Sequence, residues 1–105
     1  MDELKLTSIF SALADPTRRA IIARLSSGEA SAGELAAPFG ISRPAISKHL
    51  KVLENANLIV RKKDAQWHRF QLQSETLDAA SDWIAKYREF WEDRLEALDV
   101  YLKTK

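Results

Sequence analysis

The sequence predicts a mainly α-helical fold with one small β-hairpin, in the order α-α-α-α-β-β-α, and three observations carry that expectation. Apolar residues recur at steps of three and four over most of the chain, the spacing that gathers them on one helix face. The rhythm breaks once, where Leu58-Ile59-Val60 and Trp67 to Leu72 supply two short β-branched and aromatic runs. Helix-start and helix-stop residues stand at the joints. With 105 residues, 46% of them hydrophobic, the chain is expected to form a single domain over 1–105 around one core. No repeat, low-complexity tract or linker divides it.

Leu6, Ile9, Phe10 and Leu13 lie at helical spacing and predict a short amphipathic first helix. Asp15-Pro16 reads as an N-cap followed by a proline at the first helical position, where the missing N–H costs nothing. The second helix turns Ile21, Ile22 and Leu25 inward and stops at Gly28. Ser31 and Glu34 match a capping box for a third helix, with Leu35 and Ala36 facing the core. Pro38 weakens that helix and Gly40 ends it, so it is short. Ser42 then caps a fourth helix, Pro44 falls in its first turn, and Ile46, Leu50 and Leu53 must face inward. Asn57 ends it, because asparagine tolerates a left-handed backbone. Two strands follow, joined at Lys63-Asp64-Ala65-Gln66. Ser74 opens the last helix, over about 75–102. Leu77, Ala80, Ile84, Tyr87, Trp91, Leu95, Leu98 and Leu102 form one apolar stripe on it, with Trp83, Phe90, Ala97 and Tyr101 beside them. At 1.5 Å per residue, roughly 28 residues span about 42 Å, longer than a domain of this size needs.

The segment from Gly40 to Leu72 points to a function. With Ile46, Leu50 and Leu53 inward, Arg43, Ser47 and Lys51 share an outward row, flanked by Pro44, Lys48 and Asn55. A short capped helix, a tight turn, a second helix and a ribbon, in that order, make a helix-turn-helix with a wing. Such a helix fits the major groove of B-DNA. Arginine can bridge guanine O6 and N7, serine can meet several base edges, and lysine suits phosphate. Ser42, Arg43, Ser47 and Lys48 are expected to penetrate deepest, while Lys51, Lys62, Lys63 and Arg69 bind phosphate. His49 either donates to a phosphate or packs. His68 shares the parity of Phe70 and Leu72 and is expected to be a half-buried structural residue. Net charge is only +1, yet residues 42–69 hold seven Lys/Arg against two acids, leaving the remainder acidic. That asymmetry suits a polyanion on one side.

The chain also resembles a known family. DPTRRAIIARL, SAGELAAPFGISRPAISKHLKVLENANLI and WIAKYREFWEDRLEALDVYL are similar to the ArsR/SmtB winged-helix repressors, over about residues 6–102. The resemblance implies a homodimer paired through its first and last helices. That would place Leu6, Phe10, Ile84, Trp91, Leu95, Leu98 and Leu102 in the seam. It also implies binding to a short inverted repeat in bacterial promoter DNA, with residues 42–49 as the recognition helix and 61–69 as the wing. Metal-sensing relatives carry paired cysteines on the third helix or histidines on the last. Here Ala36, Ala37 and Pro38 follow Glu34-Leu35, and no histidine occurs from Ser74 to Lys105. Zinc wants imidazole or thiolate, so no metal site and no cofactor are expected.

Other classes find little support. The chain has no cysteine, which excludes disulfides, thiolate sites and cysteine nucleophiles. MDELKLTSIF lacks the basic and apolar regions of a signal peptide, and no apolar run approaches the roughly 20 residues of a membrane span, so a cytoplasmic protein is expected. Neither a phosphate-binding glycine loop nor a nucleophile with a matched base is recognisable, so no enzyme is expected. Asp82, Glu89, Glu92, Asp93, Glu96 and Asp99 read as the solvated side of the last helix, interleaved with Lys86, Arg88 and Arg94. Its two stripes are expected to divide the work, one facing the subunit's own domain and one its partner. A pocket within that aromatic interface would be the natural place for a small-molecule effector. The expectation is a repressor that occupies an operator whose half-sites lie about one helical turn apart. The rival is a protein-interaction module that uses the aromatic last helix.

Overall fold

The computed structural model describes residues 3–104. Helix α1 (Glu3–Leu13) buries Leu6, Ile9 and Ala12, and α2 (Pro16–Leu25) buries Ile21, Ile22 and Leu25. Their junction is tied by arginine. Arg18 Nε donates to the Ala12 carbonyl at 2.6 Å and Arg19 Nη1 to the Leu13 carbonyl at 2.7 Å. Carbonyls at a helix C-terminus have no partner within the helix, and two guanidinium groups satisfy them here. Asp15 holds the extended N-cap conformation, and its carbonyl accepts from the Arg19 N–H at 3.0 Å. Its carboxylate makes no cap hydrogen bond, contrary to the sequence expectation. The helix ends at Leu25, and a turn follows to Gly28, whose φ of +139° requires glycine.

A strand that the sequence did not signal comes next. Ala30–Ser31 forms β1, too short to show any alternation, and it pairs antiparallel with β3. The capping box is present at α3 (Ala32–Ala36) in altered form. The Glu34 N–H donates to Ser31 Oγ at 3.2 Å, and the Ser31 hydroxyl donates to Glu34 Oε1 at 3.2 Å. Residues 37–39 tighten into a 3-10 turn over Pro38, and Gly40 closes it at φ +61°. Helix α4 (Arg43–Asn55) is capped by Ser42 Oγ, which accepts from the Ala45 N–H at 3.3 Å. At its far end Asn57 is left-handed at φ +60°. The Leu58 N–H reaches back to the Leu53 carbonyl at 3.0 Å and the Asn57 N–H to the Glu54 carbonyl at 2.9 Å. This is a complete Schellman closure with Leu53 and Leu58 both buried.

Strands β2 (Ile59–Asp64) and β3 (Trp67–Leu72) complete a three-stranded sheet in the order β1-β3-β2. The hairpin extends further than expected: Lys63 and Asp64 belong to β2, and only Ala65 and Gln66 turn the chain, Ala65 at φ +56°. Register pairs Ile59 with Leu72, Arg61 with Phe70, and Lys63 with His68 on one face. Phe70 and Ile59 join Ile9, Ile21, Leu35, Ile46, Leu50, Leu53 and Leu58 in the core. His68 is exposed, not half-buried. Parity assigned its face correctly, but the core covers only the base of the hairpin.

Helix α5 (Ser74–Lys103) begins against the body, where the Thr76 hydroxyl donates to the Asn57 carbonyl, and Ala80 is buried. The Phe10 and Trp83 rings meet edge to face at 5.6 Å. From Ser81 onward every described residue of α5 is exposed. Thirty residues span about 45 Å, while the molecule's two short dimensions are 29 and 22 Å, so the helix outruns the core. The radius of gyration is 18.3 Å, against about 13 Å for a compact chain of this length.

Candidate nucleic-acid interface

The outward face of α4 is as its inward face dictates. Arg43, Pro44, Ser47, Lys48 and Lys51 are all exposed, and so is the cap Ser42. Arg43 leans toward α3. A Cβ built on Gly33 would stand 3.6 Å from Arg43 Nη2 and 3.9 Å from Ser31 Oγ, so the guanidinium lies over a position with no side chain. Arg43, Lys48 and Lys51 make no ion pair among the described residues and keep their donors for a ligand.

His49 lies at the margin of this face and is half-buried. Its Nδ1 is 3.3 Å from Arg18 Nη1, the arginine that caps α1. A guanidinium has only donors, so Nδ1 is the acceptor in this contact. Through Arg18 the residue therefore links α1, α2 and α4.

The wing differs from the sequence expectation in its charge. Lys62 pairs with Glu29 at 3.5 Å. Arg69 pairs with Glu29 at 3.7 Å and with Glu34 at 3.6 Å, and also donates to the Glu29 carbonyl at 3.3 Å. Arg24 reaches Glu34 at 3.5 Å from the other side. Arg61 bonds Glu54 at 2.9 Å and stacks over the Phe70 ring. Of the three wing residues expected to hold phosphate, Lys63 alone is exposed and without a carboxylate partner among the described residues. Arg69 is half-buried, a strut between β3, β1 and α3. The reason is tertiary: Glu29 and Glu34 lie outside residues 42–69, and the pairing of β1 with β3 brings them to the wing.

A second surface is apolar. On α5, Ile84, Trp91, Leu95, Leu98 and Leu102 are 48%, 60%, 61%, 52% and 62% exposed. Tyr87, Phe90 and Tyr101 stand beside them, so past Trp83 neither stripe packs on the body. The division expected from sequence, with one stripe against the subunit's own domain, does not hold, because the body ends where the helix continues. Leu6 is already buried within the chain and Phe10 half-buried; together with Thr7, Ser11 and Trp83 they line an open cleft of about 470 Å³. The opposite side of α5 is ionic, with Arg88–Glu92 at 3.1 Å and Lys103–Asp99 at 3.0 Å. Among the described residues no helix is long and apolar enough to cross a membrane. Among the described residues no three His, Cys, Asp or Glu side chains gather as metal ligands.

A helix-turn-helix domain family matches residues 13–62, the span from the end of α1 into β2. The chain is 34% identical over 82 residues to the transcriptional repressor SdpR of Bacillus subtilis (strain 168), covering 78% of this chain and 91% of that protein. It is 37% identical over 78 residues to an arsenical resistance operon repressor of Staphylococcus xylosus, covering 74% of this chain and 75% of the relative. The chain belongs to the ArsR/SmtB family of winged helix-turn-helix transcriptional regulators. A crystal structure of an ArsR family transcriptional regulator superposes with a TM-score of 0.80 at 39% identity, over 88% of this chain and 95% of the other. This ArsR/SmtB member is accordingly a DNA-binding transcriptional regulator.

Proposed function

We propose that the protein is a homodimeric repressor that occupies an inverted-repeat operator and does so without a resident metal ion. The observation that carries this is the α4 face, where Arg43, Ser47, Lys48 and Lys51 are exposed and unpaired beside the wing. Arg43 and Ser47 supply base-edge donors and acceptors in the major groove, and Lys48, Lys51 and Lys63 hold phosphates. The apolar face of α5 supports the homodimer, since each large side chain it covers contributes roughly 1.5–3 kcal/mol. A two-fold axis through that seam sets two recognition helices along one side of a duplex, which calls for half-sites about one helical turn apart. Absence of cysteine from the chain, and of histidine beyond Gln73, supports the metal-free reading. A module that only bound another protein through α5 would leave the cationic face of α4 without a role.

Fragmented double-stranded DNA incubated with the purified protein at moderate salt, then recovered and sequenced, tests the reading. The expected result is one short inverted repeat common to the retained fragments. Retention that ignores sequence, or enrichment of direct repeats, would refute it.

A further inference from the structure

We infer that Arg18 and His49 are a positioning pair that holds α4 at a fixed angle to α1, so that the two half-sites of an operator are read at one spacing. The inference rests on the operator-binding reading above and adds to it the residues that set its geometry. Arg18 stands in α2 and divides its fork between two other helices. Its Nε donates to the Ala12 carbonyl at 2.6 Å and Nη2 to the Ser11 carbonyl at 3.3 Å, while Nη1 lies 3.3 Å from His49 Nδ1. A guanidinium is planar and stiff, so bonds from its three nitrogens hold the end of α1 and the middle of α4 in one frame. His49 and Arg18 are both half-buried.

Packing alone does not fix that angle. Thr7, Ser8 and Ser11 of α1 face Val52 and Asn55 of α4 across an open cleft of about 290 Å³. Helices lock at a given angle when ridges of side chains fill the facing grooves, and short polar side chains beside a gap supply no such ridge. The inward triad Ile46, Leu50 and Leu53 anchors α4 to the core along one line, and the arginine tie fixes its tilt about that line. Arg19 supplies the contrast. It caps the same end of α1, donating to the Leu13 carbonyl at 2.7 Å, and makes no bond to α4 among the described residues. In the proposed dimer α1 belongs to the seam, so the angle between α1 and α4 sets how far apart the two recognition helices stand. Adding one base pair between half-sites moves one of them by about 3.4 Å and turns it by about 35°. The tie can resist that displacement by no more than its own worth, about tenfold for one hydrogen bond to a charged group.

Amide isosteres provide the test. Asparagine sets an oxygen where Nδ1 stands and nothing at Nε2, whereas glutamine sets a donor where Nε2 stands and nothing at Nδ1. Wild type, His49→Asn, His49→Gln, Arg18→Ala and Arg19→Ala are titrated with duplexes carrying the recovered inverted repeat. Its spacer is left unchanged, shortened by one base pair or lengthened by one. Wild type and His49→Asn should prefer the unchanged spacer to the same degree. His49→Gln and Arg18→Ala should lose about tenfold of that preference. Arg19→Ala should keep it while unfolding at a lower temperature, because it loses a cap and no tie. An intact spacing preference in His49→Gln and Arg18→Ala overturns the proposal, as does its loss in Arg19→Ala. A uniform loss on all three duplexes in His49→Asn, with His49→Gln unaffected, would make the ring a phosphate donor and overturn it too. If wild type selects no inverted repeat, the operator reading fails first; if wild type selects the repeat and ignores the spacer, this proposal alone fails.

Discussion

Arg43 and Lys51 share a row of α4, yet their loss should read out differently. Arg43 sits at the helix N-terminus, the end that would reach base edges in the proposed complex, and a guanidinium fork suits two bonds to one guanine. Arg43→Ala is expected to relax selection at one position of each half-site, at a cost of about 1–3 kcal/mol against the preferred base. Lys51→Ala should weaken all sequences alike and lower the salt slope by about one; competition binding against single-base variants separates the two. The wing carries a further residue-scale prediction. Glu29 neutralises Lys62 and Arg69 at 3.5 and 3.7 Å, so Glu29→Gln should bind DNA more tightly with a steeper salt dependence. Unfolding stability should move by less than about 1 kcal/mol, because the pairs are open to solvent on at least one side and such ion pairs contribute little. A loss of affinity in Glu29→Gln would mean that the carboxylate orders the wing and does not mask its charge.

At the scale of elements, the local chemistry of the joints was legible. Ser42, Gly40 and Asn57 act within four or five residues of themselves, so their roles depend on sequence spacing alone. Asn57 offers a check on the closure of α4. Asn57→Gly should leave stability unchanged or raise it slightly, whereas Asn57→Val should lower it by about 1–2 kcal/mol through the left-handed backbone. Equal thermal unfolding of the two variants would argue against the closure. What was not legible followed from range. A two-residue strand such as β1 has no period to detect, and its pairing with Phe70 and Arg69 spans some forty positions. His68 shows the same limit in another form: alternation names the face, while burial depends on how far the core reaches along the hairpin.

For the whole molecule, the length of α5 is the decisive feature. A helix that leaves its own body with Trp91, Leu95, Leu98 and Leu102 more than half exposed supports the proposed pairing with a second copy. Leu95→Glu should yield a folded monomer with weak operator affinity, since Leu95 is 61% exposed and lies outside the core, and each subunit alone gains no benefit from a linked half-site. Sedimentation together with circular dichroism would check this. An unchanged dimer would place the seam elsewhere, and an unfolded chain would mean that α5 stabilises the body in a way its exposure does not suggest.

The sequence by itself determined the helix boundaries, the inward triad Ile46, Leu50 and Leu53, and with them the outward face that carries Arg43, Ser47, Lys48 and Lys51, because caps and periodicity act over a few residues. Tertiary structure alone decided which cations stay free. Pairing of β1 with β3 carries Glu29 and Glu34 to the wing and engages Lys62 and Arg69, leaving Lys63 open. Coulomb attraction acts through space, and only the fold sets those distances.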